Sequence, residues 1–188
     1  NFITVFSDPL NFGPLLLNTV IVSICTILTA VPIAFFTAYA LSRFQYKFKN
    51  ALVVWILSTQ FFPPVVLVLP FFILFRNIGL MDTRTALVLI NLSFCMPFSI
   101  WMLKGFIDAL TPTMEEAAFV EGCNFRQVMT KIVFPLTLPG IITASIFAFI
   151  QGWNQYLFAL ILTKKNAVTL MVGMGNLYSA ERGFYWEQ

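Results

Sequence analysis

Four long stretches without charged side chains constrain the fold of this chain more than any other feature. They cover residues 15–41, 50–75, 85–103 and 132–163. Each stretch is near or above the ~20 residues that a helix needs to cross ~30 Å of hydrocarbon. Backbone polar groups cannot stay unpaired in lipid, so runs of this length favour helices. We therefore predict an all-α membrane protein, a polytopic helical bundle forming a single transmembrane domain over residues 1–188, with spans near 14–41, 51–75, 85–104 and 137–162.

The composition supports a bilayer rather than water as the solvent. Apolar residues make up 59% of the chain and charged residues only 10%, against about 25% in an ordinary soluble domain. The net charge is +3 with scattered basic residues, which argues against a nucleic-acid partner. Histidine is absent, and Cys25, Cys95 and Cys123 lack metal-ligand spacing. We accordingly expect free thiols, no metal site and no cofactor.

Prolines and small residues recur within or at the ends of the predicted spans. The prolines, at which we expect kinks or local unwinding, are Pro32, Pro63, Pro64, Pro70, Pro97 and Pro139. Small residues recur every four positions in two ridges, Ala30, Ala34, Ala38 and Ser42, and Gly140, Ala144, Ala148 and Gly152. Such ridges let helix backbones approach closely, either at a subunit interface or within the chain.

The orientation of the spans in the membrane is only weakly indicated by charge. The loop that contains Arg43, Lys47 and Lys49 has no acidic residue, which favours the cytoplasmic side. A full count nevertheless gives six basic residues on that side and five on the other. With this orientation, residues 105–135 form a cytoplasmic loop and residues 163–188 an external segment.

A polar segment between the third and fourth predicted spans, residues 105–135, has the pattern of two short helices joined by a glycine. Thr113 and Glu116 have the spacing of a capping box, and Pro112 suits a first helical turn. Gly122 is a good terminator because glycine readily adopts a left-handed conformation after a helix.

The second short helix is predicted to begin after Asn124, with Gln127 three residues later as its capping partner. Phe125, Val128, Met129, Ile132 and Val133 then follow at the spacing of one amphipathic face. Pro135 disfavours a helical conformation at Phe134 and is expected to end the helix.

This segment resembles the EAA motif of ABC importer permeases. Glu116-Ala117-Ala118 is followed after three residues by Gly122 and after nine more by Ile132-Val-Phe-Pro135. Phe134 and Glu121 replace the leucine and aspartate usual in that motif. The resemblance implies a coupling helix that docks on a separate ATPase, with Glu116 paired to a basic group there. The coupling residues it implies are Glu115, Glu116, Ala117, Ala118, Glu121, Gly122, Ile132 and Pro135.

The resemblance covers roughly residues 14–175. The segments that look like the carbohydrate-uptake class, in particular maltose-type second permease subunits, are Asn18-Thr19, Arg43-Phe44, Gly152-Trp153-Asn154-Gln155-Tyr156, and Thr169-Leu170 before Val172-Gly173. This resemblance implies a six-span subunit in the bacterial inner membrane, of which the first and last spans would be missing here. The implied partners are an ABC ATPase dimer, a second and different permease subunit, an extracytoplasmic solute-binding protein facing the segment after Thr163, and membrane lipid. Permeases for amino acids or peptides share the motif and stay an alternative. A secondary carrier is a further one.

The predicted spans contain no ionisable residue in their middles, which argues against a proton-coupled carrier and an intramembrane protease. No Gly-x4-Gly-Lys-Ser/Thr loop is present. The chain is therefore predicted to be a transport subunit rather than an enzyme, with ATP hydrolysed elsewhere. Polar residues of the spans that could hydrogen-bond sugar hydroxyls, or simply join helices, are Gln60, Asn91, Ser93, Gln151, Asn154 and Gln155.

Overall fold

The computed structural model describes residues 12–45 and 47–177. The helices, in chain order, are α1 Phe12–Arg43, α2 Lys49–Phe61, α3 Pro64–Asn77, α4 Arg84–Asp108, α5 Pro112–Val120, α6 Phe125–Leu136, α7 Leu138–Trp153, α8 Leu157–Leu162 and α9 Leu170–Leu177. The last turn of α2 is a 3₁₀ helix, and residues Met129–Val133 of α6 form a π-helical turn. The described residues contain no β-strand, so the predicted all-α class is confirmed. Residues 178–188 of the predicted external segment lie outside the described part.

Helices α1 and α4 cover two of the predicted spans. They contain 32 and 25 residues and have mean hydropathies of 2.3 and 1.9, so each is long and apolar enough to cross a bilayer. Pro32 and Pro97 lie inside these helices, which continue past them. Helix α4 also extends to Asp108, beyond the predicted end at residue 104.

The predicted span over residues 51–75 consists of two helices, and the break lies at Pro63 and Pro64, where a kink or local unwinding was predicted. Helices α2 and α3 meet at a bend of 93°. Phe62 is extended, with ψ at 121°, because the residue before a proline is disfavoured in the α conformation. Pro63 and Pro64 then begin the next helix, where missing N–H groups cost least.

A continuous helix over residues 137–162 is also not observed. Helix α7 ends at Trp153 and α8 begins at Leu157. Helix α7 is instead bent by 72° from α6, with the break at Thr137. By length and composition, the described residues contain four spans only if each of the two bent pairs, α2 with α3 and α6 with α7, acts as one span.

The chain divides into two compact units. Among the described residues, unit 1 comprises 12–26, 63–92 and 149–177, and unit 2 comprises 27–45, 47–62 and 93–148. Unit 1 has an apolar core that includes Val22, Leu87, Ala159 and Val172. The core of unit 2 is built by α1, α4, α5, α6 and α7, with buried residues that include Phe35, Ile100, Leu103, Ile107, Val128 and Val133.

The small-residue ridges are buried within this chain. In unit 2, Ala30, Ala34, Ala38, Ala144 and Ala148 are all fully buried. Small side chains at these positions let neighbouring helices approach closely. Of the two interpretations of the ridges, the structure therefore supports packing within the chain.

Gly152 makes a similar close approach in unit 1, and we expect its substitution by leucine to destabilise the protein. A Cβ atom there would lie 3.2 Å from both Cα and Oγ of Ser23 and 3.5 Å from Nδ2 of Asn91. Because part of this contact is backbone, overpacking should cost about 1–3 kcal/mol. The thermal unfolding midpoint of detergent-solubilised protein should fall for Gly152→Leu. It should stay close to that of the wild type for Gly105→Leu, whose Cβ would meet nothing within 4 Å.

Candidate functional site

The polar segment forms two short helices around a glycine, as predicted, but its first helix begins differently. Helix α5 starts at Pro112, its N-cap residue is Thr111, and no side chain caps it. The predicted capping box of Thr113 and Glu116 is therefore wrong. The reason is that proline fits the first helical position, with its φ preset and no N–H group left unpaired. Thr113 consequently lies within the first turn instead of preceding it.

Gly122 ends α5 in the manner predicted. Its φ angle is +89°, a region that side chains with a Cβ atom rarely adopt. The N–H of Cys123 donates to the Ala118 carbonyl at 2.9 Å and that of Gly122 to the Phe119 carbonyl at 3.0 Å. These two bonds form a Schellman motif, which satisfies carbonyls at the helix end. The direction of the chain after α5 thus depends on a residue that can be left-handed.

The predicted capping box of α6 is confirmed. The Asn124 side chain accepts a hydrogen bond from the Gln127 N–H at 2.9 Å, and the Gln127 side chain accepts one from the Asn124 N–H at 2.8 Å. Of the predicted apolar face, Val128, Met129 and Val133 are buried in unit 2. Ile132 is half-buried and packs against the same core, whereas Phe125 is exposed.

Pro135 does not end α6, contrary to the prediction. The helix continues through Phe134–Leu136, and the preceding turn, Met129–Val133, widens into a π-helical turn. A proline cannot donate the N–H bond that an α-helix requires at its position, and its ring crowds the carbonyl four residues earlier. Lengthening the turn before Pro135 relieves both problems, since a π-turn shifts the register of bonding.

Glu116 of the motif and the preceding Glu115 have opposite environments. Glu115 is buried, with its side chain 8% exposed, and it forms an ion pair of 2.7 Å with Arg43. The hydroxyl of Tyr39 also donates to Glu115 at 2.8 Å. Arg43 donates further to the Leu110 carbonyl at 3.0 Å. We call Tyr39, Arg43 and Glu115 the α1–α5 clasp, because it joins the end of α1 to the first turn of α5.

Sequence reasoning included Glu115 among the coupling residues but missed its partner. A signal was available, because a short helix that packs on a core buries one side and neighbouring residues of an α-helix point about 100° apart. Two consecutive glutamates can therefore lie in different environments. Glu116 is the exposed one.

A second set of polar contacts surrounds the clasp. The Ser42 hydroxyl donates to Asp108 at 2.6 Å, and Lys49 donates to the Ser42 carbonyl at 2.8 Å. Asp108 is also paired with Lys104, one turn earlier on α4. These bonds connect the ends of α1 and α4 and the start of α2. The helix ends around α5 are therefore held together by side-chain contacts of their own.

The outer surface of α5 is partly apolar. Ala118 is buried, whereas Ala117, Glu116 and Glu121 are exposed, so the two alanines of the motif have different environments. The side chain of Val120 is 88% exposed. Met114 and Phe119 are also exposed. An apolar surface with flanking carboxylates on a short helix is the kind of surface that a protein partner covers.

The predicted path residues do not form one cluster. Asn91 and Gln155 lie together in unit 1, where the Gln155 amide donates to Asn91 Oδ1 at 3.3 Å. Gln60, in unit 2, donates to the Phe94 carbonyl at 2.8 Å. Ser93, Gln151 and Asn154 are exposed. The Gln60 bond joins α2 to α4, and the Gln155 bond joins the α7–α8 connection to α4. Such structural bonds are the simpler of the two roles considered for these side chains.

Comparison with known proteins identifies a family for this arrangement. A family model described as binding-protein-dependent transport system inner membrane component matches residues 30–182. The sulfoquinovosyl glycerol transport system permease protein SmoH of Agrobacterium fabrum is 34% identical, over 99% of this chain and 65% of its own length. The trehalose transport system permease protein SugB of Mycobacterium tuberculosis is 36% identical, over 88% of this chain and 61% of its own length.

A solved structure of a transporter chain has a similar fold. A chain of a bacterial ABC transporter involved in the import of the acidic polysaccharide alginate superimposes with a TM-score of 0.79 at 26% identity. The match covers 97% of this chain and 64% of that one. Like these relatives, the alginate transporter chain is longer than the present one, which spans somewhat less than two thirds of it.

Proposed function

Because the chain belongs to the family of binding-protein-dependent transport system inner membrane components, we propose that it is a permease subunit of an ATP-driven importer. The family prediction made from the EAA-like motif is thereby confirmed. In this function the chain carries solute across the membrane and performs no hydrolysis itself. ATP is hydrolysed by a separate subunit, since the sequence lacks a P-loop.

The observation that carries the proposal is the construction of α5 and α6. Glu115, Ala118 and Val128 attach the two helices to unit 2, while Glu116 and Val120 remain on the outer surface. A short helix is marginal in isolation, so this attachment is what keeps α5 in place. We infer that α5 docks on an ATPase and that ATP-driven closure of the ATPase pair moves residues 112–136 as a lever.

We propose a carbohydrate as the solute. The relatives named for trehalose and sulfoquinovosyl glycerol transport and the alginate importer support this class. The amides of Asn91 and Gln155 are suited to hydroxyl groups because each has both donors and an acceptor. In this scheme they exchange their mutual bond for bonds to the solute when the transporter changes conformation.

The proposed assembly contains an ATPase dimer, a second permease subunit and a solute-binding protein, in addition to membrane lipid. We propose a multi-pass arrangement in which each bent helix pair crosses the membrane once. Helices α2 and α3 expose many large apolar side chains, which suits lipid or the second permease. They include Val54, Trp55, Phe61, Val65, Val66 and Leu69.

The test of this function is ATPase binding to the outer surface of α5. In nanodiscs that contain the full-length assembly, we expect Val120→Glu to release the ATPase subunits, because the change places a charge in an apolar contact. Phe48→Glu is the control. Phe48 is 68% exposed and lies before α2 on the same predicted side of the membrane, outside the α5–α6 element.

The measurement is the amount of ATPase that co-purifies with the permease on size-exclusion chromatography. The proposal is supported if Val120→Glu loses the ATPase while Phe48→Glu retains it and both variants unfold at the wild-type temperature. If no ATPase co-purifies with the folded wild-type protein, the importer function is wrong.

A further inference from the structure

In unit 1, the loop between α8 and α9 wraps around one carboxylate. We call residues 163–169 the Asp82 loop. The backbone N–H groups of Lys164, Lys165, Asn166 and Ala167 all donate to the carboxylate of Asp82, at 2.9 to 3.2 Å. In return, the Asp82 N–H donates to the Leu162 carbonyl at 2.8 Å. A single carboxylate thus accepts from four consecutive N–H groups of this loop.

The turn between α3 and α4 presents the carboxylate of Asp82 to this loop. Gly79, with a φ angle of +72°, ends α3 through a Schellman pair of bonds, from Leu80 to Phe75 and from Gly79 to Arg76. Thr83 caps α4 through its hydroxyl, which accepts from the Ala86 N–H at 3.2 Å. The helix end and the helix start are therefore satisfied without Asp82. Its carboxylate is left for the loop.

Asp82 itself adopts a left-handed conformation, with φ at 57°. Aspartate tolerates this region better than most residues with a Cβ atom. Burial alone would raise the pKa of Asp82, but the backbone N–H bonds outweigh burial and hold this pKa below its usual value. The carboxylate is therefore ionised at neutral pH, which strengthens each of the bonds it accepts.

A second anchor holds the other end of the loop. The Asn18 amide donates to the carbonyls of Asn166 and Val168, at 3.0 and 2.9 Å. Arg84 in turn donates to Asn18 Oδ1 at 2.8 Å, and the Thr19 hydroxyl accepts from the Leu170 N–H at 2.8 Å. The loop is therefore fixed at both ends by side chains rather than by a secondary-structure ladder.

The surface that this loop displays is basic. Among the described residues of unit 1, the charged side chains are those of Arg76, Asp82, Arg84, Lys164 and Lys165. The one carboxylate is covered by the loop's own N–H groups, and the four cations are exposed. A fixed loop with outward lysines is complementary to an acidic surface. A lipid headgroup layer would not require a loop of defined conformation.

We propose that Asp82 is the positioning residue of the Asp82 loop, whose exposed residues Lys164, Lys165 and Asn166 receive an acidic face of the solute-binding protein. This inference rests on the proposed function, because it assumes that such a partner acts on this chain. It adds to that function the residue that fixes the docking surface and the charge of the face that binds there.

The experiment uses the full-length assembly in nanodiscs and the solute-binding protein that stimulates its ATPase. We expect Asp82→Ala to weaken binding of that protein by about tenfold, equivalent to about 1.4 kcal/mol. Basal ATPase activity, measured without binding protein, distinguishes a loss of docking from a general loss of function. Amide hydrogen exchange should accelerate at residues 164–167, which lose their common acceptor. Asp108→Asn, which removes a carboxylate in unit 2, is the matched control and should leave exchange in the loop unchanged.

A second variant separates the charge from the conformation. Lys164→Glu with Lys165→Glu keeps Asp82 and the loop backbone, so exchange should stay slow while binding weakens. Faster exchange in Asp82→Ala with unchanged binding would overturn the proposal. So would a charge-reversal effect seen only in nanodiscs of anionic lipid. If the wild-type assembly is not stimulated by any binding protein, the proposed function fails, and the exchange measurement still reports whether Asp82 fixes the loop.

Discussion

Gly122→Val should abolish most of the stimulation of ATPase activity by solute-loaded binding protein while leaving the membrane helices folded. The φ angle of +89° at Gly122 is one that a β-branched residue strongly disfavours. A left-handed conformation costs a residue with a Cβ atom roughly 1–2 kcal/mol. The turn between α5 and α6 should relax to another conformation and move the outer surface of α5. About 1.4 kcal/mol corresponds to a tenfold change in an equilibrium constant. We therefore expect the stimulation of ATPase activity by the binding protein to fall about tenfold.

Gly105 provides a matched control for this result. A Cβ atom would meet nothing within 4 Å at Gly122 or Gly105, so steric overlap is equal and only the backbone conformation and the location differ. Gly105 lies inside α4. If Gly105→Val lost stimulation as fully as Gly122→Val, the left-handed turn would not be the cause.

The sequence allowed the helical class, the helix–Gly–helix segment and the Asn124 capping box to be predicted because each depends on local chemistry. Charge-free runs, a glycine after a short helix and an Asn-x-x-Gln pattern act within a few residues of their own position. The family followed from the spacing between Glu116 and Pro135. Local rules therefore sufficed for the position of the candidate site along the chain.

The errors arose where two local rules competed or where a partner was distant in sequence. At Thr113 a capping pattern competed with Pro112, and the proline prevailed because its φ is already helical. At Pro135 the breaking rule failed because a π-turn absorbed the missing bond. The partners Arg43 and Glu115 are separated by 72 residues, and the Asp82 loop joins positions more than 80 apart. No periodicity in the sequence encodes such pairs.

Glu115→Gln should destabilise the protein strongly, whereas Glu116→Gln should not. Glu115 and Arg43 form an ion pair with side chains 8% and 14% exposed. Removing one partner of a buried pair leaves an uncompensated charge, which typically costs about 3–5 kcal/mol. We expect Glu115→Gln to lower the free energy of unfolding by an amount toward the lower end of that range, because Gln can still accept the Tyr39 bond. Glu116 is exposed on the same helix, so its substitution should leave the unfolding temperature unchanged and weaken only ATPase binding.

A double substitution distinguishes the ion pair from other roles of Glu115. Replacing a buried ion pair by apolar residues of similar size is often neutral or stabilising, so Arg43→Met with Glu115→Leu should recover much of the stability that Glu115→Gln loses. The measurement is thermal unfolding, in one detergent, of the wild type, Arg43→Met, Glu115→Leu and the double variant. The four values are analysed as a double-mutant cycle. Additive effects would mean that the α1–α5 clasp contributes no interaction energy. An interaction of several kcal/mol would instead show that the clasp holds α5 in place within unit 2.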